Sequence, residues 1–500
     1  MNQFFISLMI VFSAFESFSQ IHPEHKRANH WFFGEDESGV GGVHLDFNSG
    51  TIEVGTSPVI GAAGASQTTI SDTAGNFLFF YNGNFIMNNE FDLIEGGEEV
   101  YGHEFSPNGA MFLPVPENDS LYLLFYSSCW DNNFYGGLRY ALIDSKANGG
   151  LGKVLSYDNL ILTGATGSIS ATYHENGKDF WLISADTSSY LHSFLIDNTG
   201  VPQHIDSQKI ITVSSLFGTP ICKIIPVFTT RPEGDLIAVS SIDLEDGFNS
   251  DYSLSIIRFN NQTGNFNTEL LIEDHAGELV EGDFNPLLHA FSPNGDWLYV
   301  PFNENPLPRN GYIKRYGNLY GSVEPADIIS EIVFETETHQ APYTIQCTPV
   351  GSMLYYSLPG DDNPGSMNTP YISEILYPDS TNPVVLHNNI LTDVYFTLSP
   401  NNNLPPHWYY RPTGFTNSSE KTKYEPLLCF PNPVNDKLYF LNGFTDIEEV
   451  KFVNYLGEEL TGTILNNYEI DVSRIKNGIY ILKIRLRNNL LKTTKIIVQH

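Results

Sequence analysis

The chain has 500 residues, with 58 acidic against 25 basic side chains and a formal net charge of −33. Phosphate binding needs clustered Lys and Arg, so this balance argues against nucleic acid as a partner. The length allows two or three domains. Charged residues make up 17% and aromatics 13%, and 41 Gly and 29 Pro are spread along the chain, which suits short strands joined by turns better than helices or a disordered tract.

The first element is the apolar run Phe4 to Phe15, followed by small residues Ser17 and Ser19. It has signal-peptide length and is too short to span a bilayer as a mature helix. A signal peptide over residues 1–20 is therefore expected, although its start carries no Lys or Arg. No later run is apolar enough to cross a membrane, so the mature chain is expected to have no transmembrane helix.

From Trp31 to about Thr413 a unit recurs: a polar turn, usually with Gly, then a short apolar strand rich in aromatics. Asp72-Thr73-Ala74-Gly75 precedes Phe77 to Tyr81, Glu117 to Ser120 precedes Leu121 to Tyr126, and Glu175-Asn176-Gly177-Lys178 precedes Phe180 to Ile183. Pro232-Glu233-Gly234, Ser292-Pro293-Asn294-Gly295 and Pro349-Val350-Gly351 precede further copies, and a seventh falls at Ser399 to Asn402. The turns lie 44 to 61 residues apart when Asp119, rather than Gly109, is taken as the second. A period of this size with about four short strands per unit predicts a β-propeller over residues 29–413, with seven blades. Asn29 to Phe33 would close the ring by pairing with the last blade and covering an open edge.

A polar linker over 414–426, containing Asn417-Ser418-Ser419, separates this region from the closing segment 427–500. Glu425 to His500 holds nine basic and nine acidic residues, so the first 424 residues carry the whole −33. The closing segment opens on Cys429-Phe430-Pro431-Asn432-Pro433, where two prolines exclude a helix. Strand-like pieces follow at Lys437 to Leu441, Val450 to Tyr455, Gly478 to Leu486 and Lys492 to Val498. In the third, Tyr480, Leu482, Ile484 and Leu486 alternate with Lys483, Arg485 and Arg487, the period of a strand with one buried face. The fold class expected is all-β, a seven-bladed propeller followed by a small C-terminal β-sandwich.

The order of motifs in this segment is specific. Phe430-Pro431-Asn432-Pro433, the turn Leu456-Gly457-Glu458, Ile470-Asp471-Val472-Ser473, Asn477-Gly478-Ile479-Tyr480 and the basic closing strand resemble the type A C-terminal sorting domain of the type IX secretion system. The resemblance implies Pro431, Asn432, Pro433, Gly457, Asp471, Gly478 and Tyr480 as sorting-motif residues and the secretion machinery as a partner. It further implies a secreted or surface location and removal of the domain at the outer membrane. Phe291 to Tyr299 resembles the repeats of TolB-like and WD40-like propellers. The opening Trp31-Phe32-Phe33-Gly34 and the phrase Ile70 to Tyr81 resemble secreted propeller proteins that end in this sorting domain, a family with no established activity to carry over.

Chemistry is harder to find. The chain has no GxSxG, HExxH, P-loop or EF-hand motif, and Gly39 to Gly42 lacks the spacing of a dinucleotide fingerprint. The fourteen His are scattered in sequence, with His103 and His289 the recurrent pair before Phe-Ser-Pro-Asn-Gly, and no metal ligand set stands out. Cys129, Cys222, Cys347 and Cys429 suit no zinc spacing. Buried thiols and a single bridge among the first three both remain open. Acidic runs at Asp243 to Asp251 and Gly360 to Asn363 would offer oxygen ligands to Ca2+, a weaker expectation than solvated loops. Trp130 and Trp408 could stack on sugars, though aromatics at blade positions are mostly core. No catalytic residue and no cofactor are assigned. The reading is a non-catalytic binding platform for an extracellular protein or glycan, the alternative a secreted propeller hydrolase acting on polysaccharide or peptide.

Overall fold

The computed structural model describes residues 23–33, 42–57, 66–102, 108–127, 136–188, 190–209, 224–245, 249–279, 288–304, 310–319, 324–335, 340–359, 371–390, 429–430, 434–440, 447–454, 459–466, 469–486 and 491–500. The chain divides into two compact units, Met1–Phe415 and Thr416–His500. No helix among the described residues is long and apolar enough to cross a membrane.

The first unit is a succession of antiparallel meanders. Among the described residues seven sheets follow one another, over residues 30–57, 68–87, 110–163, 165–209, 224–279, 290–335 and 340–390. Sheets 3 to 7 have four strands each, and the first two have three among the described residues. Within every sheet the strands pair in chain order, the arrangement of propeller blades.

The recurrent turn is the first hairpin of sheets 2 to 7. Arg231 N–H donates to Leu236 O at 2.9 Å while Gly234 N–H donates back to Arg231 O at 2.8 Å. The same pair of bonds recurs at Ser292/Trp297 with Gly295 and at Asp72/Asn76 with Gly75. The fourth residue takes a positive φ, +76° at Gly234 and +70° at Gly295, which an L side chain resists. Space is a second constraint, since a Cβ on Gly234 would meet Thr172 Oγ1 of the preceding sheet at 2.6 Å. The second predicted turn is the hairpin Val115 to Leu121, which contains Asp119, whereas Gly109 lies just before the strand Ala110–Pro114. The seventh predicted turn and the linker lie outside the described residues.

The strand after each turn supplies the core. Phe79, Tyr81, Leu123, Phe125, Leu182, Tyr299 and Tyr355 are all buried. In sheets 2 and 4 the strand before the turn is buried yet polar, with Thr68, Thr69 and Ser71 in one and Thr166, Ser168, Ser170 and Thr172 in the other, and in sheet 5 it ends on buried Thr229 and Thr230; in sheet 3 the corresponding strand, Ala110–Pro114, is apolar. Hydroxyls of the polar strands fasten one sheet to the one before it. Thr69 Oγ1 donates to His30 O at 2.6 Å and Thr230 Oγ1 to Ala171 O at 2.9 Å. Cys347 Sγ does the same toward Phe291 O at 2.8 Å, and its free thiol is buried. Backbone bonds repeat the theme, from Ile169 N to Asn108 O and from Ile345 N to Leu288 O. First strands of successive sheets thus meet closely, where small hydroxyls fit and satisfy each other's backbone.

Arg315 fastens sheets 6 and 7. Its guanidinium, 1% exposed, lies 3.8 Å from the ring centroid of Trp297. It donates to Ser380 O at 2.7 Å, Thr381 O at 2.9 Å and Tyr299 Oη at 3.1 Å, and pairs with Glu331. Arg231 holds the turn of sheet 5 against Asp235 in a comparable way.

The second unit is two four-stranded sheets around one apolar core. One holds Cys429–Phe430, Lys437–Phe440, Glu469–Asp471 and Thr463–Asn466; the other holds Glu459–Thr461, Ile447–Asn454, Gly478–Leu486 and Leu491–Val498. Leu438 and Ile470 of the first meet Val450, Phe452, Leu482 and Ile484 of the second. Gly462 lies where the chain crosses between sheets, and a Cβ there would meet Phe452 at 2.5 Å. The alternation expected along Gly478–Leu486 is present: Tyr480, Leu482 and Ile484 are buried while Arg485 is exposed. The architecture is all-β, a propeller followed by a small sandwich.

Candidate functional site

Of the residues singled out in the closing segment, Pro431, Asn432, Pro433 and Gly457 lie outside the described residues. Asp471 ends its strand, facing Lys437 across the ladder, and its carboxylate accepts Ser473 N–H at 2.9 Å. Hydrogen bonds from Ser473 hold this exposed carboxyl below the usual carboxylate range. Gly478 pairs with Val498 at the start of the long strand. Tyr480 is buried against Phe452 edge-on, and its hydroxyl donates to Lys476 O at 2.9 Å. Val434, next to the double-proline run, is bonded to the last strand through Ile497 O and Gln499 N. The structure therefore brings the opening and the end of this unit together.

The titratable side chains of the propeller form a set that the sequence reading passed over. β1 (His30–Phe33) pairs antiparallel with β2 (Gly42–Asp46), with His30 opposite Asp46 and Phe32 opposite His44. Alternation puts His30, Phe32, His44 and Asp46 on one face. His30 Nδ1 lies 2.9 Å from His44 Nε2 and 3.9 Å from Asp46 Oδ2. One ligand atom from each of the three falls within 4.8 Å of the others. Phe32 stacks on His44 at 4.4 Å between centroids. The far nitrogen of His30, Nε2, sits 3.0 Å from Gly75 O, and Asn48 Nδ2 lies 3.0 Å from the same nitrogen. Burial lowers both imidazole pKa values, His44 to about 4, against the pull of Asp46.

Sheet 4 carries a similar phrase. His192-x-Phe194 pairs with His204-x-Asp206, as His30-x-Phe32 pairs with His44-x-Asp46. Here a bulge between Ser193 and Phe194 shifts the register. His192 Nδ1 lies 3.2 Å from His204 Nε2, but its other nitrogen is taken by Asp186 at 3.0 Å. Asp206 turns toward Phe266, whose N–H it accepts at 3.2 Å. The same residue types thus make a linear hydrogen-bond chain in one hairpin and a convergent triad in the other. The repeated H-x-F and H-x-D pairs were the signal available in sequence.

His289 is buried and its Nε2 lies 3.3 Å from Ala238 O, a packing role beside a turn; His103 is outside the described residues. Asp243 is in backbone register with Asp251 in a hairpin whose tip, 246–248, is outside the described residues, as are Gly360 to Asn363, Trp130 and Trp408.

Some known structures are similar to this chain at a low level. The BP39L lectin from Burkholderia pseudomallei is 7% identical, covers 79% of this chain and 96% of its own, and has a TM-score of 0.34. A periplasmic gluconolactonase from Pseudomonas aeruginosa is 8% identical over 94% of this chain and 96% of its own, with a TM-score of 0.33. The Nup133 β-propeller domain from Vanderwaltozyma polyspora is 10% identical over 59% and 89%, with a TM-score of 0.31. Such scores carry no argument about activity, and the succession of sheets stands as the ground for the fold. No curated protein matches the chain. Residues 428–499 match the family model described as a secretion system C-terminal sorting domain. The closing unit is accordingly a type IX sorting domain, and the protein is exported to the cell surface or the extracellular space.

Proposed function

We propose that the propeller is a non-catalytic binding platform for an extracellular protein or glycan, delivered by the sorting domain behind it. The observation that supports this is how its acids are used. Glu331 pairs with Arg315, Asp235 with Arg231, and Asp379 accepts Asn294 N–H, each across a joint between strands or sheets. These three acids are engaged by partners within the fold. In this reading a signal peptide over 1–20 starts export and residues 427–500 complete it. Pro431, Asn432, Pro433, Gly457, Asp471, Gly478 and Tyr480 act as the address, read by the type IX machinery.

Two measurements test the reading. Deleting 427–500 should leave the protein in the periplasm, and its arrival in the medium would refute the address. The exported protein should retain partners on a glycan and protein array without turning them over. A robust hydrolytic turnover would overturn the platform in favour of an enzyme.

A further inference from the structure

We propose that His30, His44 and Asp46 hold a divalent transition-metal ion of the zinc class on the first sheet of the propeller. Two imidazole nitrogens and one carboxylate oxygen are the donor set that zinc-class ions prefer, whereas calcium and magnesium require oxygen ligands. Ligand bonds of about 2.0 Å in a tetrahedron place neighbouring ligand atoms about 3.3 Å apart. The His30 to His44 separation of 2.9 Å and the His30 to Asp46 separation of 3.9 Å bracket that edge, so small side-chain rotations close the set.

The surroundings fit an ion as well. A metal on His30 Nδ1 leaves the proton on Nε2, which then donates to Gly75 O. That is the outer hydrogen bond metal-binding histidines usually make, and it fixes both tautomer and ring plane. Phe32 packs flat on His44 and holds the second ring. Asp46, 31% exposed, leaves a way in from solvent and room for a fourth ligand. Because Gly75 belongs to the first hairpin of sheet 2, an ion here would also stiffen the joint between the first two sheets. Sheet 4 shows what the motif looks like without a site: the bulge and Asp186 pull His192 and Asp206 out of convergence.

The test uses the full chain, stripped with a chelator and titrated with Zn2+ alone by calorimetry, then with Co2+ for visible absorption of tetrahedral type. The expected result is about one tight equivalent with mixed nitrogen and oxygen ligation. His44→Phe keeps the stack on Phe32 and removes a ligand, so the tight equivalent disappears. Asp46→Asn weakens it about tenfold or more. His204→Phe in sheet 4 leaves it unchanged. A stripped wild-type chain that unfolds cooperatively yet takes up no tight equivalent would overturn the proposal. So would His44→Phe or Asp46→Asn binding like the wild type. If His44→Phe fails to fold, Asp46→Asn, at a half-open position, decides.

Discussion

Arg315→Ala should cost the propeller about 3–5 kcal/mol. The number follows from what the guanidinium touches. It contributes about 1–2 kcal/mol over the face of Trp297, a contact at 3.8 Å shielded from water. The carbonyls of Ser380 and Thr381, reached at 2.7 and 2.9 Å in a part-buried position, would lose a charged donor, at about 1–1.5 kcal/mol each. Glu331 is 48% exposed, so screening limits its ion pair to under about 1 kcal/mol. The carbonyls and the indole therefore decide the outcome, and the salt bridge does not. Urea unfolding of the full chain, followed by tryptophan fluorescence and circular dichroism, measures the loss. Glu331→Gln should move the midpoint little, and Arg315→Lys should recover only part of the stability because an ammonium cannot serve the fork of acceptors. The reasoning is refuted if Arg315→Ala unfolds at the wild-type midpoint, or if Glu331→Gln costs as much as Arg315→Ala.

Further outcomes are checked in the same assay. Gly295→Ala should destabilise by about 1–2 kcal/mol, because φ is +70° and the added Cβ would meet Glu233 and Arg231 of the sheet before; a neutral result would mean the turn is not strained. Asp379 sits near Asp296 and Glu233, and burial raises its carboxyl to about 7, opposed by hydrogen bonds from Ser292 and Asn294. The folded chain then binds this proton more tightly than the unfolded one, so stability should fall as pH rises from about 4 to about 7 and level off above. Asp379→Asn should flatten that slope, which a pH series of urea midpoints would show. In the closing unit Leu482→Ala should cost about 2–5 kcal/mol by opening its core and should lower export, whereas Tyr480→Phe, losing one hydrogen bond, should cost about 1 kcal/mol. Equal export by Leu482→Ala would separate sorting from folding of the domain.

The parts legible in sequence share a property: their signals are local. A glycine at positive φ followed by an apolar strand, as at Gly234 before Leu236–Glu245 or Gly351 before Met353–Pro359, marks a hairpin without help from the rest of the chain. The run Tyr480, Leu482, Ile484 gave its face by alternation alone. The first strand of sheet 4 was invisible for the opposite reason. Ala165–Tyr173 is rich in Ser and Thr, which reads as a loop, and only a neighbouring strand turns those hydroxyls into inter-sheet donors. Arg315 and its carbonyl partners are 65 and 66 residues apart, a pairing that periodicity cannot register. His30 and His44 were near enough to be noticed, and their repetition at His192 and His204 was a usable clue. Whether such a pattern converges depends on a one-residue bulge, which sequence did not announce.

The fastening of each first strand to the sheet before it in the chain has a mechanical corollary. Coupling between blades is nearest-neighbour, as in a one-dimensional array. A lesion such as loss of the Thr230 hydroxyl should loosen the joint between sheets 4 and 5 and fade within a blade or two. Hydrogen exchange would then show a local patch of lost protection flanked by blades at full protection. The molecule would yield at its joints one at a time, like a ring of links, before it yielded as a whole.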